Sequence, residues 1–129
     1  MNHTIHNIGI ASQIGSYSDA IETAPNLRWL MTSGTPGFVD ASQVPPDIEG
    51  QSKSAWENLL RVLSKADMTV HDIVKVTQYL TRAEDIKTYA QIRNSFLGAA
   101  RPASMLLITP QLVWPNLLVE VEIGAAKAR

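Results

Sequence analysis

Val119-Glu120-Val121-Glu122-Ile123, near the C-terminus, alternates apolar and acidic residues. Strand side chains point to opposite faces in turn, so Val119, Val121 and Ile123 share one face while Glu120 and Glu122 share the other. The stretch reads as a strand with one buried side. Two acids on its second side need a polar cavity, a subunit interface or water. Upstream, Pro102-Ala103-Ser104 opens another apolar run, Met105 to Ile108. Pro110, Trp114, Pro115 and Asn116 break the chain between the two runs, a turn-forming set between strands.

Further outward, Ile73 to Leu80 is rich in β-branched residues. Val74, Val76 and Leu80 oppose Lys75, Thr77 and Tyr79, with Gln78 the one polar residue on the apolar side. A helix is predicted on each flank of this strand. After Pro45-Pro46, residues Ala55, Trp56, Leu59, Leu60, Leu63 and Ala66 keep the spacing of a buried helical stripe. Lys53, Glu57, Arg61 and Lys65 fall on its outer side, Glu57 and Arg61 four apart. From Ala83 to Leu97, Ile86, Tyr89, Ala90, Arg93, Phe96 and Leu97 lie near one face, and Gly98 is a natural stop. Nearer the N-terminus, His3 to Ile10, Ser18 to Thr23 and Trp29 to Thr32 are strand candidates. Gly15-Ser16 separates the first two, the third stops at Ser33-Gly34, and Thr35-Pro36-Gly37 follows as a loop. Strands interleaved with two one-sided helices predict an α+β layer, a mixed sheet covered on one face. The bare face then invites self-association.

A chain of 129 residues fits one domain spanning 1–129, burying about two-thirds of its unfolded surface. Apolar residues at 45% against charged residues at 18% exclude a disordered chain. A net charge of −1 offers no basic field for phosphate backbones, so nucleic acid is not an expected partner. The absence of cysteine removes disulfides and thiolate chemistry. No apolar stretch approaches the roughly 18 residues of a membrane span, so a cytoplasmic protein with no membrane partner is expected. His3, His6 and His71 make no metal set, and no metal or other cofactor is expected. Trp29 and Trp56 sit on core-type patterns, while Trp114 lies in the break before the last strand.

The order of these segments resembles the Rid family, also called YjgF, over nearly the whole chain. The resemblance rests on Gly15-Ser16-Tyr17-Ser18, Met31-Thr32-Ser33-Gly34, the helix at Trp56 to Leu63, Asp72-Ile73-Val74-Lys75-Val76 and the helix at Tyr89 to Phe96. Most telling is Arg101-Pro102-Ala103 followed by Leu118-Val119-Glu120-Val121-Glu122. It implies a chorismate-mutase-like α+β fold with a six-stranded mixed sheet under two helices. It also implies a homotrimer with a central barrel and a small-molecule cleft between subunits. Archetypal members hydrolyse imines or enamines to a keto acid and ammonia. By that resemblance Tyr17, Ser33 and Gly34 line the cleft and Glu120 positions the attacking water as the catalytic acid. Ser104 stands where those members carry a carboxylate-clamping arginine, Ala90 where many have asparagine, and Leu106 where many have cysteine. The segment between Ser104 and Glu120 is one residue longer than theirs. Arg101, three positions from Ser104, points to the opposite strand face and belongs to the flanking turn. Three functions stay open on the sequence: imine or enamine deaminase, non-catalytic ligand-binding or regulatory trimer, and, less favoured, ribonuclease.

Overall fold

A computed structural model describes residues 3–41 and 43–129. Its strands are β1 (His3–His6), β2 (Ala20–Thr23), β3 (Leu27–Met31), β4 (Thr35–Pro36), β5 (Ile73–Leu80), β6 (Ala103–Ile108) and β7 (Val119–Ala128). The helices are α1 (Ile48–Lys65) and α2 (Ile86–Leu97). Two helices thus pack on a mixed sheet, the α+β arrangement that the segment order predicts. The expected six-stranded sheet is corrected to five strands plus a separate β1–β2 ribbon.

The main sheet runs β3-β7-β5-β6, with the short β4 also on β7. Strands β5 and β6 are parallel, and β3, β4 and β5 are each antiparallel to β7. Strands β3 and β5 therefore point the same way, and α1 joins them as α2 joins β5 to β6. Both crossovers advance in the same direction across the sheet. The handedness of parallel crossovers then puts both helices on one face. Trp56, Leu59 and Leu63 of α1 and Tyr89 and Leu97 of α2 meet Val76, Leu80, Val119, Val121 and Ile123 there. Burying each large apolar side chain contributes about 1.5–3 kcal/mol.

Local chemistry sets the element ends. The Asp47 carboxylate accepts from the Gly50 amide at 2.8 Å, capping α1. Gly98, at φ +57°, ends α2 with a backbone conformation that disfavours a side chain. The second helix begins later than predicted because Ala83–Asp85 forms a 3-10 turn. Strand β1 stops at His6 because the next amides turn inward to the Asp19 carboxylate, which accepts from Ile8, Gly9 and Ala11. Thr35 and Pro36, predicted as loop, pair with Val121 and Glu120. The expected Glu57–Arg61 pair is replaced by a bond from Arg61 to the Asn58 side chain at 2.9 Å.

The other sheet face is bare. Trp29 is 55% exposed and Met31 72%, and Met105 and Leu107 are half-exposed on the opposite edge strand. Trp29 is thus corrected from a core residue to a surface one, because β3 is an edge strand and register pairs Trp29 with Ala126 on the uncovered side. Trp56 is fully buried, and Trp114 packs on Phe38 with ring centroids 5.2 Å apart.

Candidate functional site

Two hollows, one on each side of the sheet near β6 and β7, hold most of the residues singled out in the sequence. The first is a cavity of about 440 Å³ between α2 and β6, lined by Tyr17, Ala90, Ser104 and Leu106 together with Ile14, Ile86, Met105 and Arg93. Ser104 and Leu106 face it because register pairs them with Val76 and Gln78, which point toward the helices. Tyr17 reaches it because Ser18 is fastened to the start of β6. The Ser18 amide donates to the Pro102 carbonyl at 3.2 Å, and its hydroxyl donates to the Arg101 carbonyl.

Beneath this cavity, Gln78 is fully buried and satisfied on every side. Its Nε2 donates to Ser104 Oγ at 2.9 Å and to the Met105 carbonyl at 2.8 Å. Its Oε1 accepts from the Tyr89 hydroxyl at 2.7 Å and from Arg93 Nη1 at 3.0 Å. The amide can point only one way, since the Met105 carbonyl accepts only and the Arg93 guanidinium donates only. Trp56 Nε1 extends the chain by donating to the Tyr89 hydroxyl at 3.3 Å. Burial pushes the Tyr89 phenol well above its ordinary range. Burial also lowers Arg93 from the usual guanidinium value, opposed by the neighbouring Tyr89 and Tyr17.

Sequence reasoning placed Arg93 near the α2 stripe without assigning it a role. Its charge on an apolar face was the signal, as was Gln78 on the apolar side of β5.

The second hollow, of about 330 Å³, lies on the bare face and is lined by Gly34, Tyr79, Thr109, Leu112, Glu120 and Glu122. Glu120 stands between Pro36 of β4 and Tyr79 of β5 in the ladder. Its carboxylate lies directly against the Gly34 α-carbon, where any Cβ would overlap it. Desolvation raises the Glu120 pKa, and the like charge of Glu122 raises it further. Ser33 is exposed beside this hollow, its carbonyl accepting from the Thr35 hydroxyl at 3.1 Å. Gln51 of α1 steadies the approach to β7. Its Nε2 donates to the Pro45 and Asn116 carbonyls at 2.9 and 3.0 Å, and its Oε1 accepts from the Leu118 amide at 2.8 Å.

Within one chain, then, Tyr17, Ala90, Ser104 and Leu106 come together, and Gly34 and Glu120 come together with Ser33 alongside. The two groups do not share a hollow. Arg101 joins neither. Its Nη1 donates to the Gly98 and Ala100 carbonyls at 2.7 and 2.9 Å, closing the end of α2. His3, His6 and His71 also lie away from both hollows. His6 meets the Glu22 carboxylate at 2.7 Å, and His3 and His71 line a separate, mostly apolar cavity under the β1–β2 ribbon.

Comparison with known proteins agrees with this architecture. Residues 9–127 match the family model described as Endoribonuclease L-PSP. A RutC family protein of Pyrococcus horikoshii is 27% identical over 127 residues, 98% of this chain and 99% of that protein. TdcF of Escherichia coli, provisionally named a reactive intermediate deaminase, is 26% identical over 84 residues, 64% of this chain and 63% of that protein. The crystal structure of YyfB from Yersinia pestis, titled as a conserved Rid family protein, superposes with a TM-score of 0.85. It is 26% identical, covering 98% of this chain and 100% of that one. A family match across almost the full length, on a fold that superposes this closely, makes the chain a member of the Endoribonuclease L-PSP family, the Rid or YjgF proteins.

Proposed function

We propose that the chain is a Rid-type small-metabolite protein whose ligand sits in the α2–β6 cavity, with hydrolytic deamination of an imine or enamine as its chemistry. The observation that carries this reading is the convergence of Tyr17, Ala90, Ser104 and Leu106, from three separate segments of the chain, on one cavity. The deaminase name of the relative TdcF supports the reaction class. In that reaction water adds to the C=N carbon while Glu120 takes its proton. The proton passes to nitrogen, the C–N bond breaks, and ammonia leaves a carbonyl product. A carboxylate whose pKa is raised by desolvation suits both proton steps.

Glu120 opens on the bare sheet face and the cavity on the helix side, so one chain holds two half-sites. Assembly as a homotrimer, sheet faces inward around a central barrel, would cover Trp29, Met31, Met105 and Leu107 and set one chain's acid against its neighbour's cavity. Exposed apolar side chains grouped on one sheet face support such an interface. Sedimentation analysis reading a monomer would remove the shared cleft from the account.

A second reading, a non-catalytic ligand-binding trimer, is favoured by one specific feature. Positions 90 and 104 carry a methyl and a hydroxyl where the family resemblance implies an amide and a guanidinium. Ribonuclease activity, suggested by the family's description, draws less support. No histidine lines either hollow among the described residues, and the net charge of −1 does not attract RNA. Incubation with an enzymatic source of 2-aminoacrylate, following keto-acid release, separates the first two readings. Acceleration over buffer that Glu120→Gln abolishes is expected. No acceleration, with an active family member as control, leaves the binding reading.

A further inference from the structure

Arg93 is only 6% exposed, yet it lines the α2–β6 cavity. Of its five N–H groups, Nη1 gives one to Gln78 and Nε gives one to the Asn94 side-chain oxygen at 3.1 Å, so three remain. The carboxylate pairings among the described residues, His6–Glu22, Arg82–Asp85 and Lys127–Asp67, leave Arg93 out. Its one other compensation is the Tyr89 ring, 5.7 Å from the guanidinium carbon to the centroid. A buried cation without an anion is costly, and an apolar side chain of similar volume would fill the space without that cost.

Other donors around the cavity point to the same ligand chemistry. Ser104 Oγ accepts from Gln78, and its own proton has no acceptor among the described residues. The Tyr17 ring sits at the same wall. No acid among the described residues lines the cavity, and Ile14, Ile86, Ala90 and Leu106 make the rest of its wall apolar.

We infer that Arg93, projecting from α2, binds the carboxylate of the ligand, with Ser104 as a neutral second donor, and that the ligand is a small monocarboxylic acid bearing an apolar side chain. The anion is held from the helix instead of from strand β6. The inference rests on the reading that this cavity is the ligand site. Gln78 sets the guanidinium's orientation and joins it to Ser104, so one buried amide aligns both donors on the carboxylate. Ala90 and Leu106 then accept the side chain.

The test is calorimetric titration of the full chain with 4-methyl-2-oxopentanoate and with its uncharged primary amide. Wild-type protein is expected to bind the acid at least about tenfold more tightly than the amide. Arg93→Met should weaken acid binding by about thirtyfold or more while leaving the amide within about threefold. Ala90→Glu puts a carboxylate three residues from Arg93 on the same helix face. It should abolish acid binding while raising the melting temperature, which keeps the test decisive if Arg93→Met does not fold. Acid binding that survives either substitution, or equal affinity for acid and amide, overturns the Arg93 clamp and leaves the cavity reading standing. Failure of wild-type protein to bind acid and amide alike at millimolar concentration overturns the cavity reading with it.

Discussion

The helix side and the bare side of the sheet handle charge in opposite ways. On the helix side Arg93 is buried with no carboxylate beside it among the described residues, held by the neutral side chains of Gln78 and Asn94. On the bare side, Glu120 and Glu122 lie near one another with no cation in their hollow. Desolvation, and after it the like charge of Glu122, raises the Glu120 pKa, whereas the buried cation is steadied by a tyrosine and a glutamine. Each side lacks what the other has. A chain that leaves both charges uncompensated when alone is built for something else to meet them.

The largest expected effect comes from breaking the neutral network. Gln78→Leu removes the acceptor shared by Tyr89 and Arg93 and the donor to Ser104, leaving buried polar groups unmatched. A loss of about 3 kcal/mol is expected in urea unfolding. A loss below about 1 kcal/mol would mean that these side chains do not act as a unit, and the contrast between the two sides would lose its basis.

Gly34→Ala probes the acid side with a smaller disturbance. The added methyl meets only the flexible end of Glu120, so stability should change by less than about 1 kcal/mol. The displaced carboxylate should move toward solvent and titrate closer to its ordinary value of 4.5 in carbon-detected NMR. An unmoved titration would separate the raised pKa from the packing against Gly34.

Glu120→Gln is the gentlest change. Because the folded-state pKa lies above the ordinary one, folded protein holds its proton more tightly than unfolded chain. Ionisation therefore costs stability as pH rises from about the ordinary glutamate value through the raised one. The glutamine variant should match wild type under acid conditions and become slightly more stable above that window. Parallel curves of melting temperature against pH would show that desolvation at Glu120 is too slight to matter.

The elements of the covered face could be read from periodicity alone. Trp56, Leu59 and Leu63 recur at helical spacing, and Val119, Val121 and Ile123 alternate, because each element meets water on one side and the core on the other. The same logic fails where a residue's environment comes from distant segments. Trp29 carries a core-type pattern yet stays exposed, since nothing in its own segment says that β3 is an edge. Thr35 and Pro36 look like loop and become strand only because β7 runs beside them. In the site, Tyr17, Ser104 and Glu120 followed from likeness to a family, while the division into two hollows required the sheet's two faces. Gln78 was visible as a polar residue on the apolar side of its strand. Its meaning emerged only when Arg93 and Tyr89 of α2 and Ser104 of β6 came within hydrogen-bonding distance.

Gln51 has a consequence for how this chain can vary. By gripping the backbone at Asn116 and Leu118 from the first turns of α1, it pins the entrance to β7 independently of the connection arriving from β6. The one-residue lengthening inferred between Ser104 and Glu120 can be taken up before that grip, with every side chain of the last strand still facing its proper way. Insertions upstream of Asn116 are thereby uncoupled from the acid's position, and descendants of this fold can trade loop length freely without rebuilding the strand that carries Glu120.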